Sequence, residues 1–150
     1  MMLVAQANIE RFDSIVGIVF AHLYQNFPIR QIIDPTILDP LVNPGTQGWE
    51  ACYLEHVQVF IASMSWLIKA EYVWAEPGEE ANPETFFGCV LSTKGLEVLN
   101  TPSSLGPSIG SKLKDAVQST AGDTVKDLAK EALSAGAILA LTLGRSFVSA

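Results

Sequence analysis

The stretch at residues 66–100, WLIKAEYVWAEPGEEANPETFFGCVLSTKGLEVLN, decides the fold class of this chain of 150 residues. It opens with the apolar end of a helix and passes into YVWAE at residues 72–76, where aromatic and β-branched side chains predict a strand. Pro77-Gly78 and Asn82-Pro83 predict a long turn, and FFGCVL at residues 86–91 predicts the returning strand. The stretch therefore predicts a β-hairpin that follows a helix.

The hairpin lies between predicted helices. Ser92 or Thr93 is a good N-cap for a helix to about Asn100, because its side-chain oxygen can accept a bond from a free backbone N–H group. Upstream, apolar residues recur every three or four positions in two long runs, which is the spacing of one helix face. These runs predict helices over residues 9–27, with Asn8 as N-cap, and 50–70. Asp34-Pro35 predicts a short helix over residues 35–41 between them.

The last fifty residues have a different character. TPSSLGPSIG, at residues 101–110, has the composition of a linker. A short helix is predicted over residues 109–119, and a longer one from Gly122 to about residue 143. Alanines and a glycine make one face of the long helix thin, which favours close packing against a neighbour.

The order of these elements resembles the winged-helix superfamily. The likeness is carried by WLIKAEYV, a helix running into a strand, and by VLSTKGLEVLN, a strand running into a capped helix. It covers about residues 9–100 and implies an α+β, mainly α fold: a winged-helix core of three helices, a β-hairpin wing and a fourth helix. We expect residues 1–100 to form this domain, and residues 101–150 to form a C-terminal helical extension that packs on it or on a second subunit.

Composition limits the classes of protein to consider. Hydrophobic residues make up 49% and charged residues 17%, which is typical of a folded globular chain. No secretory signal pattern follows Met1-Met2. The longest apolar run, ALSAGAILALTL at residues 132–143, is shorter than the roughly 20 residues that span a bilayer. We therefore expect a cytoplasmic protein with no membrane contact.

The net charge of −7 is unevenly distributed. Residues 1–100 carry four Lys and Arg against twelve Asp and Glu, which gives −8, and residues 101–150 carry five against four, which gives +1. The negative charge therefore lies in the part that resembles a nucleic-acid-binding fold. Charge of this kind bears on partners rather than on the fold.

This charge argues against nucleic acid as the main partner. In DNA-binding winged helices the third helix enters the major groove and the wing lies along the phosphates, and both contacts need cations. The corresponding helix, residues 50–70, has Lys69 as its one cation, and the wing has none. We therefore predict a non-enzymatic interaction protein that binds a basic protein, such as a regulator or a nuclease toxin, in the latter case as an immunity protein or antitoxin. The predicted partner-binding residues are Glu76, Glu79, Glu80, Glu84, Glu55 and Gln58.

Two alternatives remain open. One is a DNA-binding transcriptional regulator of the winged-helix type that forms a homodimer through the C-terminal helix. The other is a small ligand-binding module built on the aromatic region, although such side chains more often pack in the core and the hairpin. The aromatic residues concerned are Trp49, Tyr53, Trp66, Tyr72 and Trp74.

No motif predicts catalysis, a cofactor or a metal. Cys52 and His56 are four residues apart on a predicted helix and could supply two zinc ligands, but a zinc site needs more. A buried cysteine beside a surface histidine is the favoured interpretation, and Cys89 is expected to be a second buried thiol. The chain lacks a nucleophile elbow, a phosphate-binding glycine loop and paired metal-ligand spacings.

Overall fold

The computed structural model describes residues 2–38, 49–78, 81–103 and 107–149, with side chains over residues 8–38, 56–78, 81–103 and 107–141. Within these ranges the chain forms five α-helices, three short β-strands and one 3-10 helix. In chain order they are α1 (Met2–Asn26), β1 (Gln31–Ile33), the 3-10 helix (Pro35–Leu38), α2 (Trp49–Lys69), β2 (Val73–Trp74), β3 (Phe86–Leu91), α3 (Thr93–Leu99), α4 (Ile109–Gln118) and α5 (Gly122–Ser149).

The coarse prediction of an α+β, mainly α fold is confirmed. The predicted helix, hairpin and helix appear as α2, β2, β3 and α3, and β3 has the predicted bounds. Three boundaries were wrong: α1 begins at Met2, so Asn8 lies inside it, β2 covers only Val73–Trp74 of the predicted residues 72–76, and α5 continues to Ser149. The residues added to α1 are largely apolar and good helix formers, whereas those added to α5, GRSFVS at residues 144–149, have no such helix preference. The predicted helix at residues 35–41 is a 3-10 helix over Pro35–Leu38, and its remaining residues lie outside the described ranges.

The hairpin belongs to a three-stranded antiparallel sheet, whereas the sequence predicted two strands. The order is β1-β3-β2, so β3 lies between the other two strands. Gln31 pairs with Cys89 and Ile33 with Phe86, with a register shift between the two pairs. On the other side of β3, Val73 pairs with Leu91 and Trp74 with Val90.

One hydrophobic core joins the N-terminal helices, the sheet and the C-terminal helices. α1 packs against α4 and α5 as well as α2, and it is buried from Ile15 to Ala21. Gly17 permits the close approach to α5, since a Cβ there would lie 2.5 Å from Val125 Cγ1. The C-terminal helices therefore pack on the part formed by residues 1–100. The core includes Val16, Val19, Phe20, Leu23, Ile33, Phe60, Met64, Leu67, Val73, Leu91, Leu99, Leu113, Val125, Leu128 and Ala132.

The end of α2 is a tight corner. Glu71 has φ of 66°, the left-handed conformation that often terminates a helix. The Tyr72 N–H donates to Leu67 O at 3.0 Å and the Glu71 N–H donates to Ile68 O at 3.1 Å, which is the Schellman pattern. These bonds end the helix and turn the chain directly into β2.

The first turn of α3 holds this corner. Ser92 is the N-cap of α3: its Oγ accepts from the Gly95 N–H at 3.0 Å and donates to Glu71 O. The Ser92 N–H donates to Tyr72 O at 3.0 Å, and Lys94 Nζ donates to Ala70 O at 2.9 Å. Carbonyls left free at the end of α2 thus find their donors in α3.

The side chain of Tyr72 ties the same corner to the core. Its ring stacks on Trp66 with centroids 6.0 Å apart and packs against Phe20 at 5.7 Å. Lys94 Nζ lies 4.2 Å from the ring centroid. The hydroxyl is packed against Gly136 of α5 so closely that a Cβ at Gly136 would overlap it. Tyr72 therefore links α2, α1, α3 and α5.

We predict that Ser92→Ala lowers the free energy of unfolding by about 1–2 kcal/mol, because it removes the N-cap of α3 and the donor to Glu71 O. Urea unfolding followed by circular dichroism measures this. Ser65→Ala, at an exposed position on α2, is the matched control and should change stability by less than about 0.5 kcal/mol. Equal losses in the two variants would contradict the assigned role of Ser92.

α1 and α5 are also linked through charged groups. Lys130 Nζ lies 3.9 Å from Asp13 Oδ2, and Lys126 Nζ lies 3.9 Å from Glu10 Oε2. Asp13 is only 4% exposed, and its burial raises the pKa of the carboxyl above the ordinary value of 3.8, although Lys130 and Lys126 lower it. Loss of hydration by the carboxylate therefore outweighs its attraction to the two lysines.

This shift predicts a pH dependence of stability. A carboxyl whose pKa is raised by folding contributes stability fully below its unfolded pKa, and that contribution is lost as the pH rises through the folded pKa. We expect Asp13→Asn to gain stability relative to the parent between pH 4 and pH 7, as measured by urea midpoints. Lys130→Gln should raise the pKa of Asp13 further and steepen the decline of stability with pH. A pH-independent difference between Asp13→Asn and the parent would refute this account.

Candidate functional site

The outer face of the sheet carries large exposed apolar side chains. Alternation along the strands directs Val73, Cys89 and Leu91 into the core, where each is at most 1% exposed. The same alternation directs Ile32 and Trp74 outward, where they are 64% and 50% exposed. One exposed apolar side chain is ordinary on a protein surface, but several exposed together on one face mark a candidate site for binding.

Three further side chains complete this outer sheet surface, which we define as Phe27, Arg30, Ile32, Trp74 and Glu76. Phe27 follows α1 and is 38% exposed. Arg30, immediately before β1, donates from Nη1 to Gly88 O of β3 at 2.7 Å. The surface therefore combines residues from the end of α1, the approach to β1 and the strand β2.

Gly88 leaves room for the side chain of Glu76 to lie over β3. It has φ of +61°, and a Cβ there would lie 2.6 Å from Cδ of Glu76. The side chain of Glu76 therefore lies over β3 against Gly88, where a larger residue would displace it. The Glu76 N–H donates to Phe87 O at 2.9 Å, which continues the pairing of β2 with β3. Arg30 and Glu76 thus both reach Gly88, one from each side of β3.

Trp74 stands between two clefts. The acidic cleft has a volume of about 630 Å³, and its lining includes Arg30, Glu71, Trp74, Glu76 and Pro77. The apolar cleft has a volume of about 310 Å³, and its lining includes Phe27, Pro28, Arg30, Trp74, Val90 and Leu96. Because Arg30 and Trp74 line both clefts, the two are neighbouring parts of one site.

The predicted partner-binding residues are not all brought together. Glu76 is exposed in the acidic cleft, and Glu84 is half-buried in the turn before β3. Gln58 is exposed on α2 but lines a separate groove of about 370 Å³ with Phe12 and Trp66. The predicted residues Glu79 and Glu80 lie outside the described residues, as does the side chain of Glu55.

Of the aromatic residues expected to pack in the core and the hairpin, Tyr72 is buried in the core, whereas Trp66 and Trp74 are partly exposed. Tyr72 is 3% exposed, but Trp66 is 46% and Trp74 is 50% exposed. Trp74 faces outward because Val73, its neighbour on β2, faces inward. Trp66 packs against Phe12 with ring centroids 5.3 Å apart and stacks on Tyr72, and the rest of its side chain is exposed. The side chains of Trp49 and Tyr53 lie outside the described residues.

Sequence reasoning missed Phe27, Arg30 and Ile32 as parts of a site. They flank or belong to β1, which is only three residues long and whose partner β3 lies more than fifty residues later. The one available signal was the pair of β-branched residues in RQII, residues 30–33, which follows two polar residues and shows no alternation. A run so short does not distinguish a strand from a loop.

The described surface of α2 has few cationic or polar side chains that could contact DNA. Between residues 56 and 69 its one Lys or Arg is Lys69, and Ser63 is buried at 2% exposure. The exposed side chains of this range are Gln58, Ala62, Ser65, Trp66 and Lys69. Phosphate contacts supply most of the nonspecific affinity of DNA-binding proteins and require several cations. The prediction that nucleic acid is the less favoured partner therefore stands as a prediction.

The remaining candidates are a metal site, the pair of Cys52 and His56, and the exposed apolar residues of α5. Among the described residues no three His, Cys, Asp or Glu side chains are placed to hold a metal ion. Cys52 lies in α2 with its side chain outside the described residues, so the proposed pair with His56 is not tested. Ile138 and Leu141 of α5 are each 65% exposed, and a homodimer through this helix stays a prediction. None of the helices, as far as they are described, is long and apolar enough to cross a membrane.

Comparisons with known proteins do not assign this chain to a family. No model of a protein family matches it, and neither a curated protein nor a solved structure does. The winged-helix resemblance thus rests on the order and character of the elements.

Cys89 is buried without exposed surface, and this burial raises the pKa of its thiol to about 11. The thiolate is the reactive form, so at pH 8 only about 0.1% of the thiol is reactive. In a Cys52→Ser background, where Cys89 is the one cysteine, we expect labelling by a disulfide reagent at least about 100-fold slower in the native protein than in urea. Fast labelling of the native protein would show that Cys89 is accessible.

Proposed function

We propose that this chain is a non-enzymatic interaction protein, an acidic winged-helix-like domain that binds a basic protein partner through the outer sheet surface. The observation that carries the proposal is Trp74, half exposed between a cleft lined by Glu71 and Glu76 and a cleft lined by apolar side chains. Trp and Arg are the residue types most enriched among those that dominate binding energy at interfaces, and Trp74 lies beside Arg30.

The indole of Trp74 offers apolar surface whose burial would stabilise a complex. A partner that covers the exposed half of Trp74 removes on the order of 100 Å² of mostly apolar surface from water, worth roughly 2–3 kcal/mol. Little of this gain is lost to ordering, because the β2 backbone that carries Trp74 is already held by its pairing with Val90 and by the corner at Tyr72. A rigid aromatic anchor of this kind suits binding of another folded protein.

The charge of the chain favours a basic partner. The net charge is −7, and the exposed residues Glu71 and Glu76 lie at the proposed surface. An acidic surface attracts a basic protein and increases the rate of encounter. The same field repels a nucleic acid. A basic regulator or a basic nuclease toxin, with this chain as antitoxin or immunity protein in the cytoplasm, fits these requirements.

The order of elements supports the winged-helix part of the proposal. α2 runs into β2, the turn leads to β3, and Ser92 caps α3 directly after it, as in the two segments that carry the resemblance. The hairpin that forms the wing in this superfamily here carries Trp74 and Glu76 instead of cations. The proposed surface therefore uses the hairpin for protein contact.

We predict that Trp74→Ala lowers recovery of the partner at least about tenfold when the immobilised full chain captures proteins from native lysate, because the indole is the anchor. Mass spectrometry identifies the captured proteins. Ile9→Ala is the matched control: Ile9 is 60% exposed and lies about 27 Å from Phe27 along α1. Circular dichroism confirms that both variants are folded.

Two outcomes would contradict the proposal. One is equal recovery of the same partner by the parent and Trp74→Ala, which would place the interface elsewhere. The other is a salt-sensitive mobility shift of DNA by the parent chain without recovery of a protein, which would favour the DNA-binding alternative.

A further inference from the structure

We infer that the segment recognised on the partner carries one basic and one bulky apolar side chain, which straddle Trp74 and enter the acidic and the apolar cleft respectively. This inference rests on the proposed function and specifies the chemistry of the partner. The two clefts share Trp74 and Arg30 as a common wall, so one continuous segment of polypeptide can fill both.

The acidic cleft suits a lysine or arginine. Glu71 and Glu76 are both exposed there, and Arg30 offsets only one of the two negative charges. The guanidinium of Arg30 is bonded to Gly88 O at 2.7 Å. Glu71 is held in place by the corner at the end of α2, whose hydrogen bonds fix its backbone. The face of Trp74 offers a cation–π contact, and an alkyl stem can lie along the indole while the charge reaches a carboxylate.

The apolar cleft suits a leucine, methionine or phenylalanine. Val90, which lies opposite Trp74 and is 7% exposed, lines it together with Phe27 and Leu96. A volume of about 310 Å³ is at the lower end for a small-molecule site and is sufficient for one bulky side chain. An apolar group here covers Phe27 and the second side of Trp74.

A protein segment can supply both a cation for the acidic cleft and an apolar group for the apolar cleft, whereas a nucleic acid or a lipid suits only one of them. A nucleic acid brings phosphates toward Glu71 and Glu76, and an acyl chain leaves the two carboxylates without a counter-charge. In an extended polypeptide, residues two apart lie on the same side and are about 6.7 Å apart, which allows two side chains to pass on either side of an indole.

The experiment uses four acetylated and amidated peptides in which one lysine and one leucine are separated by zero, one, two or three alanines. They are titrated into the ¹⁵N-labelled full chain, and the indole N–H signal of Trp74 is assigned from a Trp74→Phe variant. We expect the peptide with one intervening alanine to shift the Trp74 indole together with the amides of Glu76 and Leu96. Replacing its lysine by glutamate, or its leucine by alanine, should weaken binding at least about tenfold.

Matched protein variants test the two clefts separately. Glu76→Gln should reduce the preference for the lysine peptide over the glutamate peptide severalfold, because it removes one of the two carboxylates. Asp123→Asn also removes one negative charge, from an exposed position in the first turn of α5, and should leave the preference unchanged. An equal effect of the two variants would mean that net charge, and not the acidic cleft, selects the peptide.

The inference is overturned if lysine and glutamate peptides bind equally, if shifts stay within one cleft, or if no peptide shifts the Trp74 indole at millimolar concentration. Its failure is distinguishable from failure of the proposed function, because capture of a partner that depends on Trp74 would persist. Loss of that dependence would instead refute the proposed surface itself.

Discussion

The hydrogen bonds that join the end of α2 to the start of α3 are the constraint on which the rest of the structure depends. Ser92 satisfies Glu71 O and the Gly95 N–H with one hydroxyl, and Tyr72 uses both its N–H and its carbonyl in the same corner. A buried backbone group without a partner is costly, so the chain has little freedom in how it leaves α2. The direction in which the chain leaves α2 decides which side of β2 enters the core.

The outer sheet surface follows from this corner. Since Tyr72 is anchored, Val73 must face the core and Trp74 must face outward, where Val90 lies opposite it on β3. Gly88 then leaves room above β3 for the side chain of Glu76, while its carbonyl accepts a bond from Arg30. An aromatic anchor and a carboxylate from one segment, Trp74 and Glu76, are thereby brought together with a cation from a distant one, Arg30, and none of them contributes to the hydrophobic core.

The packing of α1 and α5 shows a different balance. Gly17 and Gly136 lower the helix propensity of α1 and α5. Because they have no side chain, Val125 can approach Gly17 closely and the hydroxyl of Tyr72 can approach Gly136. Asp13 is buried between the two helices at a cost in hydration that Lys130 only partly offsets. These helices provide a rigid base, whereas the exposed apolar and charged groups of the candidate site lie on the sheet. This separation of the helix packing from the candidate site is consistent with the proposal that the outer sheet surface binds a partner.

Sequence by itself determined the local features: the long apolar helices, the hairpin within residues 72–91, an N-cap at Ser92 or Thr93 and the acidic character of residues 1–100. Each depends on the spacing of nearby side chains or on simple charge. Only the tertiary structure decided that β1 pairs with β3, that Arg30 reaches Gly88 and that Trp74 is exposed. These features depend on contacts between residues far apart in the chain, and on strand register, in which a shift of one residue would exchange the buried and exposed faces.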